Sequence, residues 1–177
     1  KRTYNVTKLK LILTAKQIDK RVSDIANKIS HDFENSNPVV LGVLKGSYIF
    51  LADLTRKMRI ESEVEFVRLK SYSGKTSTNK VKVLYDFNKN LKGRDIIIIE
   101  DIIDSGNTLN FLYKKIEQLS PKSISIASFL VKPDSYKFKF KIDYIGFEIP
   151  SDFVVGYGLD FNEKYRNLDS LFYLTND

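Results

Sequence analysis

The sequence predicts an α/β fold with a mainly parallel sheet flanked by helices. Apolar runs of strand length alternate with amphipathic stretches of helix length, and the connections between them are short. The 177 residues suit one hydrophobic core, and the chain shows no internal repeat, low-complexity segment or linker. We therefore expect a single domain over residues 1–177.

The first part of the chain predicts helix, strand and helix in turn. Residues 14–30 carry apolar side chains at helical spacing, and Thr14 with Gln17 has the pattern of a capping box. Val39–Leu44 form a short apolar run that predicts a strand, and residues 47–58 (SYIFLADLTRKM) return to a helical pattern.

The next part predicts two strands separated by a polar loop. In residues 63–70 (EVEFVRLK), Val64, Phe66 and Arg68 alternate with charged side chains, which predicts a strand with one face exposed. Residues 71–79 (SYSGKTSTN) are polar and predict a mobile loop. Residues 82–87 (KVLYDF) are typical of a strand at the edge of a sheet.

The second half predicts further alternation. Ile96–Ile99 indicate a strand covered on both faces, Thr108–Leu119 a helix, and Ser123–Val131 another strand. Shorter strands are expected around Tyr144–Phe147 and Phe153–Val155, followed by a less regular C-terminus. The apolar face of the helix should contain Leu109, Leu112, Ile116 and Leu119.

The composition excludes several kinds of site. The chain has no cysteine, so disulfides, thiolate nucleophiles and Cys-based metal centres are excluded, and a reducing cytoplasm is compatible. The single histidine, His31, follows the first amphipathic stretch and is expected at the surface end of a helix. The net charge of +7 favours anionic ligands, either phosphates or nucleic acid. Neither a bilayer-spanning run nor the apolar core of a signal peptide is expected.

The clearest functional signal is the stretch IIIIEDIIDSGNTL at residues 96–109, where three acids follow a buried strand. Ligands of open α/β sheets bind outside the carboxyl ends of the strands. Gly106 permits a positive φ, and the helix that follows offers free N–H groups, which is the pattern of a phosphate cradle. Glu100 and Asp101 suit either a sugar diol or a Mg²⁺ ion retained through water. The plainer alternative is that the acids only accept hydrogen bonds from the helix or loop.

This stretch closely resembles the signature of type I phosphoribosyltransferases for 5-phosphoribosyl-1-pyrophosphate (PRPP). Residues 43–54 (VLKGSYIFLADL), 64–74 (VEFVRLKSYSG) and 142–168 (IDYIGFEIPSDFVVGYGLDFNEKYRNL) are similar, more narrowly, to the bacterial hypoxanthine-guanine phosphoribosyltransferase family. The resemblance extends from about Val39 to Leu168 and implies the type I phosphoribosyltransferase fold. It predicts a core of about residues 36–135 and a small hood built from the N-terminal segment and about residues 136–177.

The resemblance also implies a role for each matching residue on the sugar and phosphate side. Asp104 matches the general base and acid at purine N7, and Glu100 and Asp101 match acids that contact the ribose hydroxyls and Mg²⁺. Lys45 and Gly46 match the pyrophosphate loop, in which a cis peptide bond is expected before Lys45. The loop that holds the ribose 5′-phosphate is matched by Asp104, Ser105, Gly106, Asn107 and Thr108.

On the purine side, Lys132 matches the lysine that donates to the 6-oxo group. Phe153 matches the ring that stacks on the base, and Val154 a backbone contact to its edge. Asp160, in the same purine-binding segment, matches a ligand of a second Mg²⁺, and Arg166 an arginine that meets pyrophosphate. Two further residues, Ser71 and Tyr72, match the start of a mobile loop that closes over the site.

The resemblance departs from the family pattern after Lys132. Many relatives carry an arginine-rich turn there, whereas this chain reads PDSYKF and has Lys137 as the nearest base. Further on, residues 137–144 (KFKFKIDY) are expected to form an alternating strand and not an aromatic platform for nucleic acid.

The activity implied is purine salvage. The enzyme would transfer the 5-phosphoribosyl group of PRPP to N9 of hypoxanthine or guanine, giving IMP or GMP and pyrophosphate, with Mg²⁺ as cofactor. We expect a cytoplasmic homodimer or homotetramer with no nucleic-acid or membrane partner. One alternative is a nucleic-acid-binding regulator of the same fold that senses PRPP or nucleotides, which the net charge permits but for which a complete purine-binding segment is unnecessary. Another is an inactive binding module.

Overall fold

The computed structural model describes residues 8–72, 80–87, 89–137 and 140–175 and confirms the predicted α/β class. In chain order the elements are β1 (Lys8–Leu13), α1 (Ala15–Asp32), β2 (Val39–Leu44), α2 (Tyr48–Lys57), β3 (Glu63–Tyr72), β4 (Lys80–Tyr85), β5 (Asp95–Ile103), α3 (Asn107–Glu117), β6 (Ser123–Val131), β7 (Tyr144–Glu148), β8 (Val154–Val155) and β9 (Leu171–Thr175). No helix in these ranges is long and apolar enough to cross a bilayer.

The main sheet has six strands in the order β4-β3-β2-β5-β6-β7. All neighbouring strands are parallel except the edge pair β3 and β4, which is antiparallel. As the isoleucine run predicted, β5 is buried on both faces. Ile97 and Ile99 belong to the core beneath α1 and α2, whereas Ile96 and Ile98 belong to the core beneath α3. This central strand therefore gives the site a rigid support.

The first helix begins as the sequence predicts. Thr14 Oγ1 accepts the Gln17 N–H at 3.3 Å, and Gln17 Oε1 accepts the Thr14 N–H at 2.9 Å, which completes the capping box. The apolar face of α1 is buried in the core, and His31 lies exposed in the last helical turn. The predicted surface position of the histidine is confirmed.

Three local predictions were wrong. On β3, Val64 is exposed while Val67 is fully buried, because α3 packs on the face that carries Val67. Leu119 is exposed, since α3 ends at Glu117 before its apolar face can repeat. Ser71 and Tyr72 are not loop residues but the last two residues of β3, where they pair with β4. The rest of the predicted mobile loop, residues 73–79, lies outside the described residues.

The strand expected over residues 137–144 is also absent from its described part. Residues 140–143 are irregular, and β7 begins only at Tyr144. Phe140 instead stacks on Tyr113 of α3, with ring centroids 5.1 Å apart, and its carbonyl oxygen accepts the Tyr136 hydroxyl at 2.9 Å. These aromatic side chains cover α3 and therefore do not alternate along a sheet edge.

A second sheet joins the two ends of the described chain. It has three strands in the order β1-β9-β8, all antiparallel neighbours, and Lys8 of β1 is opposite Thr175 of β9. Neither β1 nor β9 was predicted. The sheet also includes β8, which carries part of the predicted purine-binding segment. The division into a core and a hood stays a prediction.

Candidate active site

The predicted site residues follow three strands that are neighbours in the main sheet. Lys45 and Gly46 follow β2, the Asp104 loop follows β5, and Lys132 follows β6. Because these strands are parallel, their carboxyl ends meet at one edge of the sheet. The fold therefore brings the predicted phosphate, pyrophosphate and purine contacts to the same place.

The loop between β5 and α3 lines a pocket of about 210 Å³ together with Glu100. Gly106 precedes α3 with a φ of 79°, as expected for a glycine in the left-handed region. The N-cap residue Gly106 has no side chain to cap α3, and the Asn107 N–H makes only a long contact of 3.5 Å with Ser105 Oγ, which an anion could replace. This is the geometry expected of a phosphate cradle.

Glu100 and Asp101 lie within β5 and not beyond its end, because the strand continues to Ile103. Glu100 is only 6 % exposed, and its burial, together with the charge of Asp101, raises its pKa well above the usual value. Burial also raises the pKa of Asp101 to about 6, although hydrogen bonds from backbone N–H groups and the charge of Arg166 oppose the rise. A buried acid and a half-buried one thus follow each other along β5, and neither has full compensation of its charge.

The β2–α2 loop approaches these acids closely. The cis peptide bond predicted between Leu44 and Lys45 is confirmed. Gly46 lies so near the Asp101 carboxylate that a Cβ atom at residue 46 would overlap Asp101 Oδ2. The carbonyl of Gly46 in turn contacts Gly158, where a Cβ atom would also overlap. The loop is therefore wedged between β5 and the segment around Gly158.

Lys132 lies between Asp104, which follows β5, and Ser151, which precedes β8. It is 8 % exposed, and its Nζ is 3.6 Å from Asp104 Oδ2 and 3.4 Å from the carbonyl oxygen of Ser151. Its backbone N–H donates to the Ile103 carbonyl at 2.9 Å, which fixes the end of β6 to the end of β5. A buried ammonium group is thus held beside a carboxylate that is largely open to solvent.

The predicted stacking ring is exposed and has an aromatic neighbour. Phe153 is 53 % exposed and Phe161 is 40 % exposed, and their rings meet edge to face with centroids 5.8 Å apart. Val154 is buried in β8, paired with Tyr173 of β9. Phe161 was not predicted as a site residue, although it stands next to Asp160 in the segment that carries the resemblance.

Asp160 and Arg166 form a direct ion pair. Arg166 Nη2 is 2.7 Å from Asp160 Oδ1, and Arg166 Nη1 donates to the Gly158 carbonyl at 2.8 Å. Glu163, which was also not predicted as a site residue, pairs with Arg166 at 3.3 Å and with Lys45 Nζ at 3.0 Å. The two cations predicted to meet pyrophosphate are thus linked through one carboxylate.

The acids expected to hold Mg²⁺ are Glu100, Asp101 and Asp160. Across the described ranges no three acids form a ready-made metal cluster. Mg²⁺ usually keeps several waters and takes only one or two carboxylates together with substrate phosphates, so a pre-formed cluster is not required. Burial is the main cause of the raised pKa of Asp101, with a smaller contribution from the charge of Asp160, and a bound cation would offset the cost of ionising this carboxyl group. The donor set therefore fits a Mg²⁺ ion.

The fold and the arrangement of this edge are those of a phosphoribosyltransferase. Residues 9–162 match the family model described as the phosphoribosyl transferase domain. The chain is 41% identical over 160 residues to the hypoxanthine-guanine phosphoribosyltransferase of Bacillus subtilis. The aligned residues cover 90% of this chain and 89% of that protein. The chain belongs to the hypoxanthine-guanine phosphoribosyltransferase family.

Two further comparisons agree with this assignment. A crystal structure of a hypoxanthine-guanine phosphoribosyltransferase from Bacillus anthracis superposes with a TM-score of 0.91 at 39% identity, covering 95% of this chain and all of that one. The bifunctional protein TilS/HprT of Listeria monocytogenes is 38% identical over 160 residues, which cover 90% of this chain. The chain spans only a quarter of the length of that relative.

Proposed function

We propose that the protein is a purine-salvage enzyme that transfers the 5-phosphoribosyl group of PRPP to N9 of hypoxanthine or guanine, with release of pyrophosphate. The observation that carries the proposal is the position of Lys132, with its Nζ 3.6 Å from Asp104 Oδ2 beside the phosphate cradle. At this distance the lysine can contact the 6-oxo group of a purine ring while the carboxylate contacts N7 of the same ring. The names of the relatives point to the same substrates.

Proton transfer at the purine falls to Asp104. The one histidine lies at the far end of α1, so a carboxylate or a lysine must do this work. Lys132 donates to the 6-oxo oxygen, and Asp104 takes and returns the proton at N7. Phe153 covers a face of the base, while the backbone of Val154 binds its edge.

The sugar and phosphate groups are bound on the other side of Asp104. Residues 104–108 hold the 5′-phosphate through the N terminus of α3, and Glu100 and Asp101 hold the ribose hydroxyls. Departure of pyrophosphate leaves positive charge on the ribose and negative charge on the leaving group. The carboxylates near the sugar stabilise its positive charge. Lys45 and Arg166 stabilise the negative charge of pyrophosphate.

We also propose that Mg²⁺ is the cofactor of this reaction. Glu100, Asp101 and Asp160 would hold the ion, and when bound it supplies positive charge that stabilises the pyrophosphate leaving group. We further propose one phosphoribosyltransferase domain with a hood, cytoplasmic location, and a homodimer or homotetramer.

The alternative of a nucleic-acid-binding regulator receives no support. The relatives matched over most of their length carry enzyme names, and Lys45, Asp104, Lys132 and Arg166 are all present at the edge of the sheet. Salt-sensitive, sequence-selective binding of nucleic acid would be needed to favour it.

The proposed activity is tested by a steady-state assay with Mg²⁺, PRPP and each of hypoxanthine, guanine, xanthine and adenine. Hypoxanthine or guanine should be consumed. Asp104→Asn should lower kcat by about 10²- to 10⁴-fold, the range of a general acid–base group, and change the KM for PRPP by much less. Asp152→Asn, which removes the same charge from an exposed neighbour of Phe153, is the control and should retain activity. Absence of turnover with every 6-oxopurine would reject the proposal.

A further inference from the structure

Glu163 bridges the two cations assigned to pyrophosphate. Its Oε1 is 3.0 Å from Lys45 Nζ, and its Oε2 is 3.3 Å from Arg166 Nη2. One carboxylate therefore links two positive charges, one from the β2–α2 loop and one from the segment after β8. We propose that Glu163 is an internal counter-ion of the pyrophosphate subsite, which the pyrophosphate group must displace from Lys45 and Arg166. This inference rests on the proposed function, because that function assigns Lys45 and Arg166 to pyrophosphate.

The backbone holds Glu163 in this position. Its N–H donates to Asp160 Oδ2 at 2.8 Å, and Phe161 and Lys164 on either side exchange two backbone hydrogen bonds of 3.1 Å each. Asn162 and Glu163 adopt φ angles of 51° and 63°, in the left-handed region that side chains other than glycine seldom adopt. A tight turn therefore presents the Glu163 carboxylate to the cations.

The turn is also anchored to the rest of the subsite. Arg166 is held at 2.7 Å by Asp160 and at 2.8 Å by the Gly158 carbonyl, and Gly158 lies against the Gly46 carbonyl. Arg166 thus keeps partners when Glu163 leaves. In the described chain, Lys45 has Glu163 as its only ion-pair partner, so Lys45 is the cation that most needs a replacement.

The electrostatics favour exchange of one anion for another. Glu163 places one carboxylate within ion-pair distance of two cations, Lys45 and Arg166. Both partners of the Lys45 pair are open to solvent, with side chains 43% and 64% exposed. Exposed ion pairs contribute little to stability, and a multiply charged pyrophosphate can replace the carboxylate oxygens one for one.

A competing internal anion weakens pyrophosphate binding, whereas a positioning residue strengthens it. Glu163→Gln keeps the size of the side chain and removes its charge. If Glu163 competes, the Kd of magnesium pyrophosphate should fall by about two- to tenfold in Glu163→Gln, the effect expected for one exposed and one partly buried ion pair. The Kd is measured by calorimetric titration, and thermal unfolding of each variant verifies that it is folded.

Two further variants separate competition from a general charge effect. Glu148→Gln removes the same charge from an exposed side chain at the carboxyl end of β7 and should change the Kd by less than twofold. The gain from Glu163→Gln should shrink when Lys45→Met is also present, because the competition acts through Lys45. An equal gain in Glu148→Gln would overturn the proposal.

The remaining outcomes are also decisive. Unchanged or weaker binding of pyrophosphate by Glu163→Gln would overturn the internal counter-ion and leave the enzyme assignment intact. A wild-type protein that binds neither pyrophosphate nor PRPP would reject the proposed function itself. The two failures are therefore distinguishable in one set of titrations.

Discussion

Asp101 is half-buried next to Glu100 in β5, and its position disfavours the ionised form of its carboxyl group. Burial raises its pKa from 3.8 to about 6. Between these two values the folded protein holds a proton that the unfolded chain has lost, so the contribution of Asp101 to stability falls as the pH rises through this interval and stays unfavourable above it. The difference corresponds to roughly 3 kcal/mol at most for the ionised form.

We therefore expect Asp101→Asn to stabilise the metal-free protein at neutral pH. The difference in unfolding free energy from wild type should be small near pH 4 and should grow to as much as about 3 kcal/mol above pH 7. Urea unfolding at several pH values without Mg²⁺ measures it. The same variant should lose activity if Asp101 holds the ribose and the metal. Equal pH dependence in the two proteins would contradict the assigned burial cost.

Phe161 supports the ring proposed to stack on the purine. Its edge-to-face contact with Phe153 is of a kind that contributes about 0.5–1.5 kcal/mol beyond the area it buries. Phe161→Ala should raise the KM for hypoxanthine by about two- to tenfold, with the KM for PRPP unchanged. Phe161→Tyr keeps the ring and should behave as wild type. An equal rise in both KM values would instead indicate a wider disturbance of the 156–168 segment.

At the scale of elements, the site depends on the β2–α2 loop lying against the end of β5. Gly46 leaves no room for a Cβ atom next to the Asp101 carboxylate. Gly46→Ala must displace either the loop or Asp101, so we expect PRPP turnover to fall by at least about a hundredfold, since an error of about 1 Å in a catalytic group has this effect. Thermal unfolding will show whether the variant remains folded.

Gly93 supplies the control for this substitution. It has a φ of 69° and no neighbouring atom within 4 Å of a Cβ position. Gly93→Asn should leave turnover unchanged, because asparagine tolerates the left-handed region and the position is open. Comparable loss of turnover in both variants would show that the close approach of Gly46 to Asp101 is not the cause.

Local sequence patterns predicted the buried strands of the main sheet and the helices that pack on it. β2 and β6 begin and end where the apolar runs do, and α1 has its predicted capping box. By contrast, β1 pairs only with β9, from the opposite end of the described chain, and β9 pairs with β1 and with the two-residue strand β8. A short strand whose partner lies more than 150 residues away, or is itself very short, leaves little signal in a local window.

The candidate site divides in a similar way. The acids and the phosphate loop could be predicted from their position after the isoleucine run, although Glu100 and Asp101 proved to lie within β5, and the remaining site residues could be predicted only from the family resemblance. Nothing local indicated that Gly46 would lie against Asp101 and Gly158, because that contact depends on how the loops of different strands pack. Glu163 is one exposed acid in a polar turn, and its spacing of three residues from both Asp160 and Arg166 was the available signal.

At the scale of the molecule, the two sheets supply different parts of the proposed site. The phosphate, ribose and lysine contacts come from the main sheet, whereas Val154 lies in the small sheet that joins the chain ends. The backbone N–H of Leu174 in β9 donates to the Phe153 carbonyl at 3.2 Å. The C-terminal strand therefore fixes the position of the ring proposed to cover the base.

The charge of the whole chain should matter for one substrate and not for the other. The net charge of +7 attracts PRPP, which is multiply negative, and has no such effect on neutral hypoxanthine. Screening shortens this attraction to a Debye length of about 10 Å at 0.1 M salt and about 3 Å at 1 M. The kcat/KM for PRPP should therefore fall several-fold between about 0.05 and 0.5 M KCl, while the kcat/KM for hypoxanthine at saturating PRPP stays within about twofold. Steady-state kinetics at fixed free Mg²⁺ measures both. If the value for PRPP did not change, the acids of the site itself would cancel the positive field of the chain, and capture of PRPP would depend on short-range contacts with Lys45, Arg166 and the N terminus of α3.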